Sequence, residues 1–180
     1  MTAAHDLLEI PEGLTLDSPR PGDGAAIWRI ARDSRVLDLN SSYSYLLWCR
    51  DYAHTSLVAR DADGVPVGFI TGYTRPRVPR TLLIWQVAVD HGRRGHGLAA
   101  AMLDALTRRA TGELGVRAVE TTVTPDNAAS DRLFASFAER HRAPLTREVL
   151  FEAAAFPERG HQPEVLYRIG PLAPAPASAP

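Results

Sequence analysis

The stretch IWQVAVDHGRRGHGLAAAMLDAL, residues 84–106, decides how this chain is read. An apolar run from Leu82 to Val89 has the pattern of a strand and stops at Asp90. A basic, glycine-rich turn follows from His91 to Gly97, and an amphipathic helical pattern begins at Leu98. A helix start offers unpaired N–H groups and the positive end of a dipole, which suits a phosphate. The glycines let a ligand approach the backbone, and Arg93 and Arg94 add charge-assisted donors.

Two other glycine-loop chemistries are excluded. All 20 Lys+Arg residues are arginine, so the Gly-Lys-Ser/Thr of a P-loop is missing, as is any lysine for Schiff-base chemistry. Gly95-His96-Gly97-Leu98-Ala99-Ala100 ends in alanine where a dinucleotide fingerprint has glycine, and no acidic residue follows about 20 positions on at a strand end. The chain also lacks G-x-S-x-G, which speaks against a serine hydrolase.

Working outward, the pattern predicts a strand at 14–16, helices at 24–32 and 43–52, and strands at 56–60 and 65–73 about the hairpin signal Asp61-Ala62-Asp63-Gly64. Further strands are predicted at 81–89 and 116–123. The phosphate turn leads to a helix at 98–110, and Asp126 or Asn127 caps a helix running to about 139. Strands at 149–151 and 164–169 close the domain. This order predicts a mixed α/β fold, a central, mostly antiparallel sheet with helices on both faces. At 180 residues one domain is expected over 13–172, after a loose leader (1–12) and before a disordered tail (173–180). A net charge of −1 gives no reason to expect nucleic acid or membrane partners. No apolar run reaches membrane-spanning length. A single cysteine and no secretion signal make the cytoplasm the default. His91 and His96 have no third ligand in pattern, so no metal is expected, and Cys49 among apolar neighbours reads as a buried thiol.

Arg94-Gly95-His96-Gly97-Leu98-Ala99, set between strand and helix, resembles the pyrophosphate loop Q/R-x-x-G-x-G/A of the GCN5-related N-acetyltransferases. The resemblance implies acetyl-CoA as cosubstrate, an amine acceptor and that family's fold. It places the CoA pyrophosphate on Arg94, Gly95, Gly97 and Ala99, and the pantetheine arm on the backbone of Val87 and Val89 in a strand that splays from its neighbour. One of those strand amides would polarise the thioester carbonyl. The run from Thr124 to Phe134 is similar to the family's second signature, N-x-x-A/S-x-x-L-Y, which brings Asn127 to the CoA arm, a role compatible with helix capping. Phe134 stands where many relatives have a tyrosine that protonates the leaving thiolate; here solvent or another group must do so.

Leu37 to Cys49 reads LDLNSSYSYLLWC, with more polar groups than one helix cap needs. Either Asn40 or Ser41 caps a helix with core aromatics, or the stretch walls a pocket for a small zwitterion. In the second case Asp38 takes an ammonium and Asn40, Ser42 and Tyr43 offer hydrogen bonds. Glu164, at a strand start, is either solvated or part of that pocket. This stretch, together with WQVAVD, ETTVTPDN and GHQPEVLY, resembles one subfamily across 14–172, the L-2,4-diaminobutyrate acetyltransferases of ectoine biosynthesis. That resemblance implies substrate contacts from Asp38, Trp85 and Glu164, and a homodimer. The attacking amine must be neutral, so Asp38 or Glu164, with Glu120 a weaker choice, collects its proton. The other readings are an acetyltransferase for another small amine and a CoA-binding regulatory module without turnover.

Overall fold

The computed structural model describes residues 8–173. Residues 1–7 of the expected leader and 174–180 of the expected tail lie outside the described residues. Seven strands form one sheet: β1 (Thr15–Asp17), β2 (Leu57–Arg60), β3 (Pro66–Arg75), β4 (Val78–Val89), β5 (Ala118–Val123), β6 (Leu145–Phe151) and β7 (Glu164–Ile169). Their spatial order is β1-β2-β3-β4-β5-β7-β6, and every neighbouring pair is antiparallel except β4–β5. The helices are α1 (Gly24–Ser34), α2 (Ser42–Asp51), α3 (Leu98–Glu113) and α4 (Ala128–Arg140). The expected mixed α/β fold is therefore the one present.

Helices cover both faces. On one, Leu98, Met102, Leu103 and Leu106 of α3 and Phe134 and Phe137 of α4 pack onto Ile70, Leu82, Ile84, Val119 and Tyr167. On the other, Ile27, Ile30 and Ala31 of α1 and Tyr45 and Cys49 of α2 pack onto Val58, Phe69 and Ala88. Each large apolar side chain buried this way stabilises by roughly 1.5–3 kcal/mol. Arg29 of α1 grips Asp90 with two hydrogen bonds of 2.9 Å, which fixes the helix to the end of β4.

Two strands run longer than the sequence pattern predicts. β3 and β4 continue to a tight turn at Pro76-Arg77, although Pro79 reads as a breaker. Pro79 falls in the register shift between Arg75↔Val78 and Thr74↔Leu82, and β4 pairs with β5 only from Thr81 onward, so Pro79 has no ladder partner on either side and its missing N–H is tolerated. β6 begins at Leu145 rather than 149, because its Thr146, Arg147 and Glu148 are the polar residues of an edge strand.

Candidate active site at the splayed strands

β4 and β5 are parallel neighbours for four residue pairs, Thr81↔Ala118 to Ile84↔Thr121, and then part. At the same level β4 carries a bulge. Gly72 faces Ile84 and Thr71 faces Gln86, which leaves Trp85 as the extra residue. Gly72 is required here, since a Cβ would meet the Leu83 carbonyl at 2.8 Å. Beyond the bulge, the Asp90 N–H bonds to the Val67 carbonyl at 2.8 Å. Strand alternation then turns the amides of Ala88 and Gln86 toward β3 as well, and those of Val87 and Val89 the opposite way, into the gap where β5 no longer pairs. The two residues assigned to pantetheine by resemblance thus have amides facing the gap.

A cleft of about 630 Å³ opens along this gap. It is lined by Val87 and Val89, by Arg93, Arg94, Gly95 and Gly97 of the turn, by Ala99 at the start of α3, and by Asn127 and Arg132 beside α4. Gly95 and Gly97 have left-handed φ of +82° and +75°, and a Cβ on either would meet only open space within 4 Å. Gly97 caps α3 without a side-chain bond, and the first amide returned to the helix is that of Ala101, bonded to the Gly97 carbonyl at 2.9 Å. The amides of Leu98, Ala99 and Ala100 therefore have no partner within the helix. Arg94 Nε donates to the Val89 carbonyl at 3.0 Å and lays its guanidinium along the strand end. Among the described residues four arginines line this cleft and no acid does.

A second cleft, about 650 Å³, meets the first where Val36, Leu37 and Asn127 line both. The same strand passes between them: Trp85 and Gln86 face the second cleft, Val87 to Val89 the first. The second cleft gathers Asp38, Trp85 and Glu164, and adds Arg35, Thr122, Asp126 and His161. Its charge is the reverse of the first, three carboxylates against one arginine. The Trp85 ring, half-exposed, stacks on Trp48 of α2 at 6.2 Å. Gln86 is buried; its Nε2 donates to the Asp38 carbonyl at 2.8 Å, and its Oε1 accepts from the Tyr45 hydroxyl at 2.9 Å. His161 lies flat on Phe156, with ring centroids 3.6 Å apart. Its Nδ1 is 2.6 Å from the Gln162 carbonyl, which can only accept, so Nδ1 carries the proton.

Asn127 both lines the clefts and caps α4, its Oδ1 accepting from the Ser130 amide at 3.0 Å. Ser41, not Asn40, caps α2 through the Ser44 amide. Asn40, Ser42 and Tyr43 lie beside that cap and line neither cleft; Tyr43 is exposed. Glu120 is buried away from both clefts and holds Arg75 and Arg168 on its two oxygens, so it is bound up in ion pairs rather than facing an amine. Phe134 is buried in the core and reaches neither cleft. Burial, with the nearby Asp23 charge, pushes the Cys49 thiol up to about 11, against the opposing pull of Arg60, which makes it a poor nucleophile. Among the described residues no group of three or more His, Cys, Asp or Glu could hold a metal ion.

Arg35, Asp126 and His161 had no functional role in the sequence reading. Arg35 follows the last residue of α1, and His161 sits in the irregular 152–163 connection, where no periodicity marks direction.

The model of the acetyltransferase (GNAT) family matches residues 24–138. The chain is 66% identical over 177 residues to the L-2,4-diaminobutyric acid acetyltransferase of Streptomyces avermitilis, covering 96% of this chain and 99% of that protein. To the enzyme of the same name from Virgibacillus pantothenticus it is 43% identical, over 86% of this chain and 96% of that one. A solved structure of diaminobutyrate acetyltransferase EctA from Paenibacillus lautus, in complex with its substrate L-2,4-diaminobutyric acid and coenzyme A, superposes with a TM-score of 0.82. The two are 41% identical over 88% of this chain and 95% of that one.

Proposed function

The chain belongs to the acetyltransferase (GNAT) family, and from that premise we propose that it transfers the acetyl group of acetyl-CoA to the γ-amine of L-2,4-diaminobutyrate. The product is N4-acetyl-L-2,4-diaminobutyrate. The observation that carries this reading is the opposite polarity of two clefts that meet at one strand: an arginine-lined cleft for a polyanion and a carboxylate-lined one for a diamine.

The first cleft fits CoA. The unpaired amides of Leu98, Ala99 and Ala100, the open left-handed glycines and Arg94 suit a pyrophosphate, and the Val87 and Val89 amides suit an extended pantetheine arm. Acetyl-CoA supplies the acyl group already activated as a thioester. The strand amides stabilise negative charge on the carbonyl oxygen as the amine attacks. Asp38 or Glu164 collects the ammonium proton, directly or through water. The N–C bond forms, the C–S bond breaks, the nitrogen gives its second proton to solvent as the amide forms, and the thiolate takes a proton from solvent, since Phe134 has none to give. Placing the two substrates head to head supplies much of the rate.

The enzyme is further read as a homodimer of the cytoplasm, serving ectoine biosynthesis and osmoadaptation, with no nucleic-acid or membrane partner and no metal. Support for a second copy comes from the exposed Val149, Leu150 and Phe151 on edge strand β6. No helix among the described residues is long and apolar enough to cross a membrane. Light scattering of the purified protein tests the dimer.

The test of the reaction is to mix protein and acetyl-CoA with diaminobutyrate, ornithine, lysine and other small amines, and to identify products by NMR. Acetylation of diaminobutyrate at the γ-amine alone is expected, with ornithine and lysine poor because longer chains misplace the reacting amine. Asp38→Asn and Glu164→Gln should each lower kcat/KM by about 100-fold with CoA binding intact. Appreciable α-acetyl product, or full activity in both variants, would overturn the assignment.

A further inference from the structure

We infer that Arg35 anchors the carboxylate of the amine substrate and so makes the second cleft prefer a diamino acid over a plain diamine. This rests on the reading of that cleft as the diamine site. Three observations converge on Arg35.

The first is position. Arg35 lines the second cleft and not the first, which places it on the amine side rather than beside the arginine turn. Among the described residues it is the one arginine of that lining, which also includes Asp38, Asp126 and Glu164. A diamino acid brings two ammonium groups, for which the lining has carboxylates to spare, and one carboxylate, for which it has one guanidinium. The cleft's remaining basic group, His161, has its Nδ1–H committed to the Gln162 carbonyl.

The second is availability. Arg29, Arg60 and Arg140 are all tied to carboxylates, whereas Arg35 makes no ion pair or side-chain hydrogen bond among the described residues. Its near neighbour Asp33 feels the Arg35 charge but is hydrogen-bonded to Arg32 and paired with Arg29, which leaves the Arg35 guanidinium without a direct ion-pair contact.

The third is backbone. Arg35 follows the last turn of α1 with φ of +58°, the left-handed position where helices favour glycine. A long branched cation is kept at a place where the main chain prefers no side chain at all, and such strain gathers at ligand clamps. The segment around it is fixed at both ends. The Ser34 hydroxyl accepts from the Val36 and Leu37 amides and donates to the Ala31 carbonyl, while Gln86 holds the Asp38 carbonyl. Arg35 therefore projects from a pre-organised frame.

The test compares L-2,4-diaminobutyrate with 1,3-diaminopropane, the same diamine without its carboxylate, in wild type, Arg35→Gln, Arg35→Lys and Arg35→Gly. In Arg35→Gln, kcat/KM for diaminobutyrate should fall about tenfold or more, chiefly through KM. The plain diamine, as substrate or as competitive inhibitor, should bind better, because a positive charge has left a site it enters as a dication. Arg35→Lys should recover part of the loss. Arg35→Gly should melt above wild type, its left-handed strain relieved, yet lose the same selectivity. Equal losses for both amines, or unchanged kinetics with diaminobutyrate, would overturn the role of Arg35. A wild type inactive on diaminobutyrate would instead overturn the reading of the cleft, and this assignment with it.

Discussion

The side-chain amide of Gln86 donates to the main-chain carbonyl of Asp38 across 2.8 Å. Because Gln86 also accepts from Tyr45, a relay through the buried Gln86 joins α2, the bulged strand and the segment that carries Asp38. Gln86→Leu removes both bonds and releases the Asp38 segment. KM for the amine should rise about tenfold while affinity for CoA stays within about twofold, and Gln86→Glu should restore little because a carboxylate cannot donate to the Asp38 carbonyl. Steady-state kinetics beside calorimetric CoA titration separates the two ligands; equal damage to both would mean that Gln86 supports the fold in general rather than Asp38.

The phosphate turn depends on backbone more than on side chains. Gly97→Val places a β-branched residue at φ +75° in front of the α3 amides, and CoA affinity should drop by about 100-fold or more. Arg94→Ala should cost about 1.5–3 kcal/mol of CoA binding, the range of a charge-assisted hydrogen bond. Titration of CoA into both variants checks this, and an unchanged Kd in the pair would remove the pyrophosphate from the turn.

Phe134 is packed among the apolar residues between α4 and the sheet and lines neither cleft. Phe134→Tyr should give no gain in kcat and should lose about 1–3 kcal/mol of stability, since its hydroxyl is buried without a partner. Phe134→Ala should lose about 3–5 kcal/mol. A faster Phe134→Tyr enzyme would show that a missing acid limits turnover.

Asp104 of α3 is nearly fully buried and holds Arg140 and His141 at the end of α4. Burial pushes its carboxyl up, but the hydrogen bonds and charges of His141 and Arg140 outweigh that and hold it below the ordinary 3.8. A depressed carboxyl contributes stability that is complete above about pH 3.8 and fades as pH falls through its folded value. Wild type should therefore lose stability in that acid window, and Asp104→Asn should lose less there while starting about 3–5 kcal/mol weaker at pH 7. Urea unfolding at pH 7 and pH 3 gives both numbers. Parallel losses in the two proteins would assign the acid transition to other groups.

The strand-turn-helix at 84–106 was legible because hydrophobic period, glycines and arginines all change character within a few residues. The same is true of β7, which runs from Glu164 to Ile169 as read. The acidic half of the site was legible only in its residue types. That Asp38, Asp126 and Glu164 line one cleft depends on a bulge at Trp85 and on the path of the 152–163 connection, neither of which leaves a periodic trace. Glu120 misled because a strand-end acid looks the same in sequence whether it faces an amine or, as here, two guanidiniums from β3 and β7. Arg35 was invisible for a similar reason: its left-handed turn is set by how α1 ends, not by its own identity.

A sheet usually keeps its bare edges on the outside, where they recruit other chains unless they are blunted. By parting after Ile84 and Thr121, β4 and β5 create such an edge in the middle of the sheet. It is walled by the arginine turn, the start of α3 and the first turn of α4. What would elsewhere be an aggregation hazard is here enclosed within the fold, where the bare amides of one strand open onto a cleft rather than onto a neighbouring molecule.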